Sequence, residues 1–261
     1  MENSIEYKKA KVSYECYGTG ENTLVLLHGF LENSTMWKTV VETFSNTHKI
    51  ICVDLLGHGK SECVGYVHTM EEIAESVRTV VVAEKVSKLT LIGHSMGGYV
   101  ALAYAEKYPE TIEKLCLLNS TSQADSEERK TIRTRAIAMA KTNYTALVSM
   151  SINNLFASET HTRFKPQIEE NKKEALQTPV QGYIACTEGM KQRINREEVL
   201  ISADFEKLII AGEKDPVLSY NSIKKESERT KTKLVTLSNG HMSHIENTAE
   251  VLEALRNFLT S

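Results

Sequence analysis

The 261-residue chain has no basic run and almost no net charge: 31 lysines and arginines stand against 34 aspartates and glutamates. Such a balance offers no electrostatic attraction for nucleic acid or for an anionic membrane surface. No apolar run approaches the length of a membrane span. The opening MENSIEYKKAKV also lacks the apolar segment of a signal peptide. Cysteine is sparse: Cys16, Cys52, Cys63, Cys116 and Cys186 are scattered, odd in number and not paired at metal-ligand spacing. That excludes a disulfide framework and a cysteine-rich metal cluster, and free thiols suit a reducing compartment. There is no internal repeat and no low-complexity tract. A soluble, cytoplasmic protein is expected, and the Asn-x-Ser/Thr triplets at Asn33, Asn119 and Asn143 then read as accidental.

What is present is a series of short, uninterrupted apolar runs. SIEYKKAKVSYECYG alternates apolar and polar residues and predicts a half-exposed antiparallel hairpin. The runs in TLVLLHGF, KIICVDLLG, KLTLIGHS, KLCLLNS, KLIIAGEKD and KLVTLSNGH read as fully buried strands. Helical patterns separate them: TMWKTVVETF, MEEIAESVRTVVVAEKV, MGGYVALAYAEKY, SYNSIKKESER and AEVLEALRNFL. Buried strands alternating with amphipathic helices predict an α/β fold, a mostly parallel sheet of about eight strands with helices on both faces. The alternation stops over residues 122–204, where EERKTIRTRAIAMAK, YTALVSMSINNLF and IEENKKEALQ are helical in pattern. This stretch reads as a helical lid inserted after the sixth strand, with the core formed by residues 1–121 and 205–261.

Chemistry concentrates at the ends of the buried runs. Ser95 lies in Gly93-His94-Ser95-Met96-Gly97, a Gly-x-Ser-x-Gly pattern between a strand and a helix. A serine forced into such a turn has an exposed hydroxyl at the positive end of the following helix. The alternative reading is a glycine-rich turn whose serine caps the helix. A serine hydroxyl needs a base within hydrogen-bond reach, and His241, after the last strand, is the favoured one over His244. His48 and His68 read as surface loop residues, His161 as part of the lid, and His28 and His58 as turn residues bonded to backbone carbonyls. The carboxylate to orient the base is Asp215, which precedes Pro216 at the expected start of a helix; Asp125 is the alternative acid. Backbone N–H groups of Met96 and of Phe30, in the His28-Gly29-Phe30 turn, are the candidate oxyanion donors.

HGF at 28–30, DLLGHGKS at 54–61, GHSMGG at 93–98, GEKDPV at 212–217 and GHMSHIE at 240–246 resemble, in order and spacing, the α/β-hydrolase superfamily over the whole chain. The resemblance implies a serine-nucleophile member with a helical cap, and makes Asp54 and His58 shapers of a loop near the site. Capped relatives of this kind include carboxylesterases, cofactor-free haloperoxidase-like esterases, carbon–carbon bond hydrolases and menaquinone-pathway lyases. Such lyases commonly carry an arginine directly after SMGG, where this chain has Tyr99. The expected activity is therefore hydrolysis of a small or medium acyl ester or thioester, with no metal and no organic cofactor. The alternatives are a lyase using the same three residues for proton abstraction, and a ligand-binding receptor on the same fold. Phe30, Leu31, Trp37, Tyr99, Met150 and Phe156 are candidate pocket walls.

Overall fold

In β-strands covered on both faces, successive apolar side chains must serve two cores at once. TLVLL does so: Leu24 and Leu26 join one buried cluster, Val25 and Leu27 the other. The computed structural model describes residues 2–260. Its strands are β1 (Glu2–Tyr7), β2 (Ala10–Tyr17), β3 (Thr23–Leu27), β4 (Lys49–Val53), β5 (Leu89–His94), β6 (Ile112–Leu118), β7 (Glu206–Gly212) and β8 (Lys233–Leu237). They form one eight-stranded sheet in the order β1-β2-β4-β3-β5-β6-β7-β8. The β1–β2 and β2–β4 pairs are antiparallel, and every later pair is parallel.

Helices α1 (Lys38–Phe44), α2 (Met70–Ala83) and α3 (Met96–Lys107) fall between the early strands. Apolar residues of α2 and α3 pack on the face that carries Val25 and Leu27. Those of α1, and of the C-terminal helix described below, cover the opposite face. Between β6 and β7 the chain leaves the sheet for α4 (Glu127–Ala140), α5 (Tyr144–Asn153), α6 (Lys165–Ala175), α7 (Val180–Gln192) and α8 (Glu197–Ile201). Apolar residues of α4 to α7 contribute to a third cluster, with Val148, Phe156 and Tyr183 packed around Leu31 and Met242, whereas Leu200 of α8 and Met190 of α7 join the cluster of Val25 and Leu27. The chain ends in α9 (Tyr220–Thr230), the short α10 (Ser243–Glu246) and α11 (Thr248–Thr260).

Three local expectations are corrected. KLVTL is a strand but not a fully buried one, because it has a neighbour on one side only and most of its residues stay partly exposed. Pro216 starts no helix: residues 216–218 bend across the carboxylate of Asp215, and α9 begins at Tyr220. His68 is buried rather than superficial, since α7 covers it. Its Nε2 accepts the N–H of Val64 at 3.1 Å, and its Nδ1 lies 3.6 Å from Cys186 Sγ. Among the described residues, no helix is long and apolar enough to cross a membrane.

Candidate active site

Parallel strands deliver their following loops to one edge of the sheet, and ligands bind there in open α/β sheets. The turn after β5 is held under steric compulsion. Ser95 adopts φ 49° and ψ −115°, sparsely populated for a residue with a Cβ and costing of order 1–3 kcal/mol. It is pinned on both sides: its N–H donates to Leu118 O at 3.0 Å, and its carbonyl accepts from Ser120 Oγ at 2.7 Å. The glycines allow close approach, because a Cβ on Gly97 would collide with the carbonyl of Leu27, and one on Gly93 with the backbone of Gly97. Met96 opens α3, so its N–H has no intrahelical acceptor.

Three of the sequence candidates meet at this turn. Ser95 Oγ lies 2.8 Å from His241 Nε2, and His241 Nδ1 lies 2.7 Å from Asp215 Oδ2. The carboxylate also accepts N–H bonds from Val217 at 2.7 Å and Leu218 at 2.9 Å, and from the Asn119 amide at 3.1 Å. Burial pushes the Asp215 carboxyl up, but His241 and these donors outweigh it and leave it below the usual carboxylate range. An ionised Asp215 fixes the tautomer: Nδ1 donates to it, which leaves Nε2 as the acceptor for the Ser95 hydroxyl. The loop bearing His241 is itself anchored, its N–H donating to Leu155 O at 2.9 Å.

The alternatives are engaged elsewhere. Asp125 is gripped by Arg133 and by Arg193, whose Nη1 lies 2.5 Å from Oδ1. Burial raises its pKa, the two guanidinium groups overcome that, and the net shift is downward. His244 faces Glu32 at 3.6 Å, and burial lowers its pKa to about 4. His28 and His58 behave as turn residues: Nδ1 of each faces a backbone carbonyl, of Gly29 at 2.7 Å and of Leu56 at 3.4 Å. Asp54 accepts N–H bonds from Ser34 at 2.8 Å and Lys60 at 2.9 Å, tying together the loops after β3 and β4.

Ser95 and His241 open into a cavity of about 490 Å³. Phe30, Leu31, Tyr99 and Met150 line it, as do Tyr183 and Met190 of α7. Trp37 and Phe156 do not. Trp37 is fully buried with Leu24, Leu26 and Phe44 on one face of the sheet, and Phe156 packs inside the third cluster. Tyr99 carries the Arg193 guanidinium over its ring at 4.1 Å, so the position after SMGG has a cation stacked on it. A larger depression of about 1030 Å³, lined by Lys88, Glu113 and Phe205, lies at the other ends of the strands, where the serine and histidine are absent.

Several contributors are absent from the sequence reading. Asn119, at the end of β6, braces Asp215 and also donates to Gly240 O at 3.2 Å. Its place after a buried strand, in NST, was the only signal. Glu246 receives the N–H groups of Gly240 at 3.1 Å and Ala157 at 3.0 Å, joining the His241 loop to the helical segment. Glu32 lies two residues beyond the HGF motif and His94 within GHSMGG, yet nothing in the spacing marks them as partners.

With fold and geometry in hand, the class follows. A family model described as alpha/beta hydrolase fold matches residues 22–248, and the chain belongs to that family. Among solved structures it is similar to a thermophilic esterase from Thermogutta terrifontis, at 28% identity and a TM-score of 0.90, covering 96% of this chain and 93% of that one. It also shares its fold with the enol-lactonase of Burkholderia xenovorans LB400, at 21% identity and a TM-score of 0.91, covering 99% and 100% of the two chains. Among curated proteins it is 29% identical, over 161 residues, to the 1-acylglycerol-3-phosphate O-acyltransferase ABHD5 of Rattus norvegicus, a match covering 58% of this chain and 46% of that protein. The chain thus spans about half the length of such curated relatives.

Proposed function

We propose that the chain is a serine hydrolase that cleaves a small or medium acyl ester or thioester through an acyl-enzyme on Ser95. The observation that carries this reading is the continuous relay from Ser95 Oγ to His241 at 2.8 Å and on to Asp215 at 2.7 Å, opening into a largely apolar cavity. Ser95 Oγ attacks the acyl carbon while its proton passes to His241 Nε2. The carbonyl oxygen becomes an oxyanion held by the N–H groups of Phe30 and Met96. Collapse breaks the carbon–oxygen or carbon–sulfur bond, and the imidazolium protonates the leaving group. Water then gives its proton to His241 and attacks the acyl-enzyme, and Ser95 recovers its proton as the acid departs.

Residues 122–204 act in this reading as the cap, and 1–121 with 205–261 as the core. The lining of the cavity by residues of α4, α5 and α7 supports that division. The similarity to the Thermogutta esterase supports the ester class. A panel of p-nitrophenyl esters and acyl thioesters of graded chain length tests it. Turnover with a burst of nitrophenol is expected, and Ser95→Ala should lose at least about 10³-fold in kcat. Hydrolysis by Ser95→Ala at the wild-type rate overturns the mechanism.

A further inference from the structure

Behind His241 lies a second acid–imidazole pair. Glu32 is buried, and its Oε2 accepts the Gly29 N–H at 2.7 Å while lying 2.6 Å from His94 Nδ1. His94 is equally buried, and its Nε2 lies 3.0 Å from the backbone carbonyl of His241. A carboxylate and a carbonyl both only accept hydrogen bonds, so both ring nitrogens of His94 must donate. His94 is therefore an imidazolium paired with an ionised Glu32. The other titratable groups facing the pair are His28, His58, Glu174, His241, His244 and Asp215. The shifts agree in direction. Burial raises Glu32 but the His94 charge brings it down to about 2, and Glu32 outweighs burial at His94 to hold its pKa up.

From this geometry we infer that Glu32 is a positioning residue, which through one carboxylate sets both the Gly29–Phe30 backbone and, by way of His94, the backbone of His241. The inference rests on the serine-hydrolase reading above. Glu32 makes no hydrogen bond to Ser95, and both of its bonds, to the Gly29 N–H and to His94, run through Oε2, although with His94 it lies in the wall of the same cavity. It joins the Gly29–Phe30 turn directly, and the His241 loop by way of His94, and the relative placement of those two loops decides whether an oxyanion donor and a base address the same carbonyl. Glu32 Oε1 has no hydrogen-bond partner among the described residues, so the carboxylate is held through Oε2 and by the charge of His94. A buried ion pair of this kind is weak evidence for stability and better suited to fixing one arrangement.

The test compares wild type, Glu32→Gln and Glu32→Asp in p-nitrophenyl butyrate kinetics, with fluorophosphonate labelling of Ser95 and ¹⁵N spectra of the histidine rings. In wild type at pH 6, His94 should give the two equivalent nitrogen signals of an imidazolium, and Glu32→Gln should convert it to a neutral ring. A misplacement of 1 Å can cost about 10²-fold in rate. Glu32→Gln should therefore lose about 10–100-fold in kcat and in labelling rate with KM within about twofold, and Glu32→Asp should recover part of it. A neutral His94 in wild type, or a folded Glu32→Gln protein with wild-type kcat, overturns the inference. If Glu32→Gln does not fold, an unchanged kcat in Glu32→Asp overturns it, because the shortened carboxylate no longer reaches both partners. If wild type neither turns over an ester nor labels, the hydrolase reading has failed separately. The His241 ring signals then decide, and their indifference to Glu32→Gln overturns the positioning role.

Discussion

At Ser95 the backbone is held at a positive φ by bonds to Leu118 and Ser120, and the hydroxyl meets His241 without further movement. The choice between carboxylates is a residue-scale question with two separable outcomes. Asp215→Asn should lose about 10⁴-fold in kcat, since an amide no longer enforces the tautomer that lets Nε2 accept. Asp125→Asn should keep most of the kcat but lose stability, roughly 3–5 kcal/mol by urea denaturation, because Arg133 and Arg193 are left without their buried counter-charge. The reverse pattern would move the acid to Asp125. Protonation gives a second residue-scale prediction. Burial lowers His58 to about 3 and His244 to about 4, against 6.5 for an unperturbed imidazole. The folded state prefers both neutral, so their contribution is complete above pH 6.5 and declines as pH falls toward those values. Glu32, lowered to about 2 from 4.5, extends the loss below pH 4.5. His94 works oppositely: its raised pKa gives stability that is complete below pH 6.5 and is lost as pH rises through the folded value. Tm should therefore fall between pH 6.5 and 4, and His244→Gln should flatten that fall. An identical slope in the variant would show that His244 is not buried neutral.

At the level of elements, α7 is the piece that closes the molecule over its own loops. Gly182 lies against the backbone of Gly57, and Gly189 against the carbonyl of His68, so close that a Cβ on either would collide with main chain. Backbone cannot step aside as a side chain can. Gly189→Ala should cost about 1–3 kcal/mol, the usual range for overpacking. Because the strain falls on one helix, limited proteolysis should cut within residues 122–204 before the sheet. A variant with wild-type Tm and an unchanged digest would contradict the close docking. The same helix is why His68 is buried although its local sequence reads as exposed. The local sequence around it, GYVHT, looks like a polar loop, and its cover arrives from residues 180–192, far along the chain. Trp37 shows the converse: its neighbours in sequence mark it as apolar but do not say which face of the sheet it serves.

Over the whole molecule, the helical segment is fastened to the sheet by more than apolar contact. Arg196, nearly fully buried, is bonded to Glu71 on α2 and to Glu106 on α3, the latter at 2.9 Å. Glu246 holds Ala157 and Thr160, and the His241 N–H is bonded to Leu155. Heating should then give one cooperative transition in which near-ultraviolet circular dichroism and Ser95 labelling are lost together. Separate transitions would mean that the segment unfolds by itself. The alternation of uninterrupted apolar runs with helical patterns already determined an α/β sheet covered on two faces. The glycines around Ser95 determined a tight strand-to-helix turn, because periodicity and backbone sterics act over a few residues. Tertiary structure alone decided that Ser95 meets His241 across 146 residues, that Asp215 rather than Asp125 faces that histidine, and that Glu32 and His94 stand behind it. Those meetings depend on the order of strands in the sheet and on where the helices between β6 and β7 dock, long-range packing that no local pattern encodes.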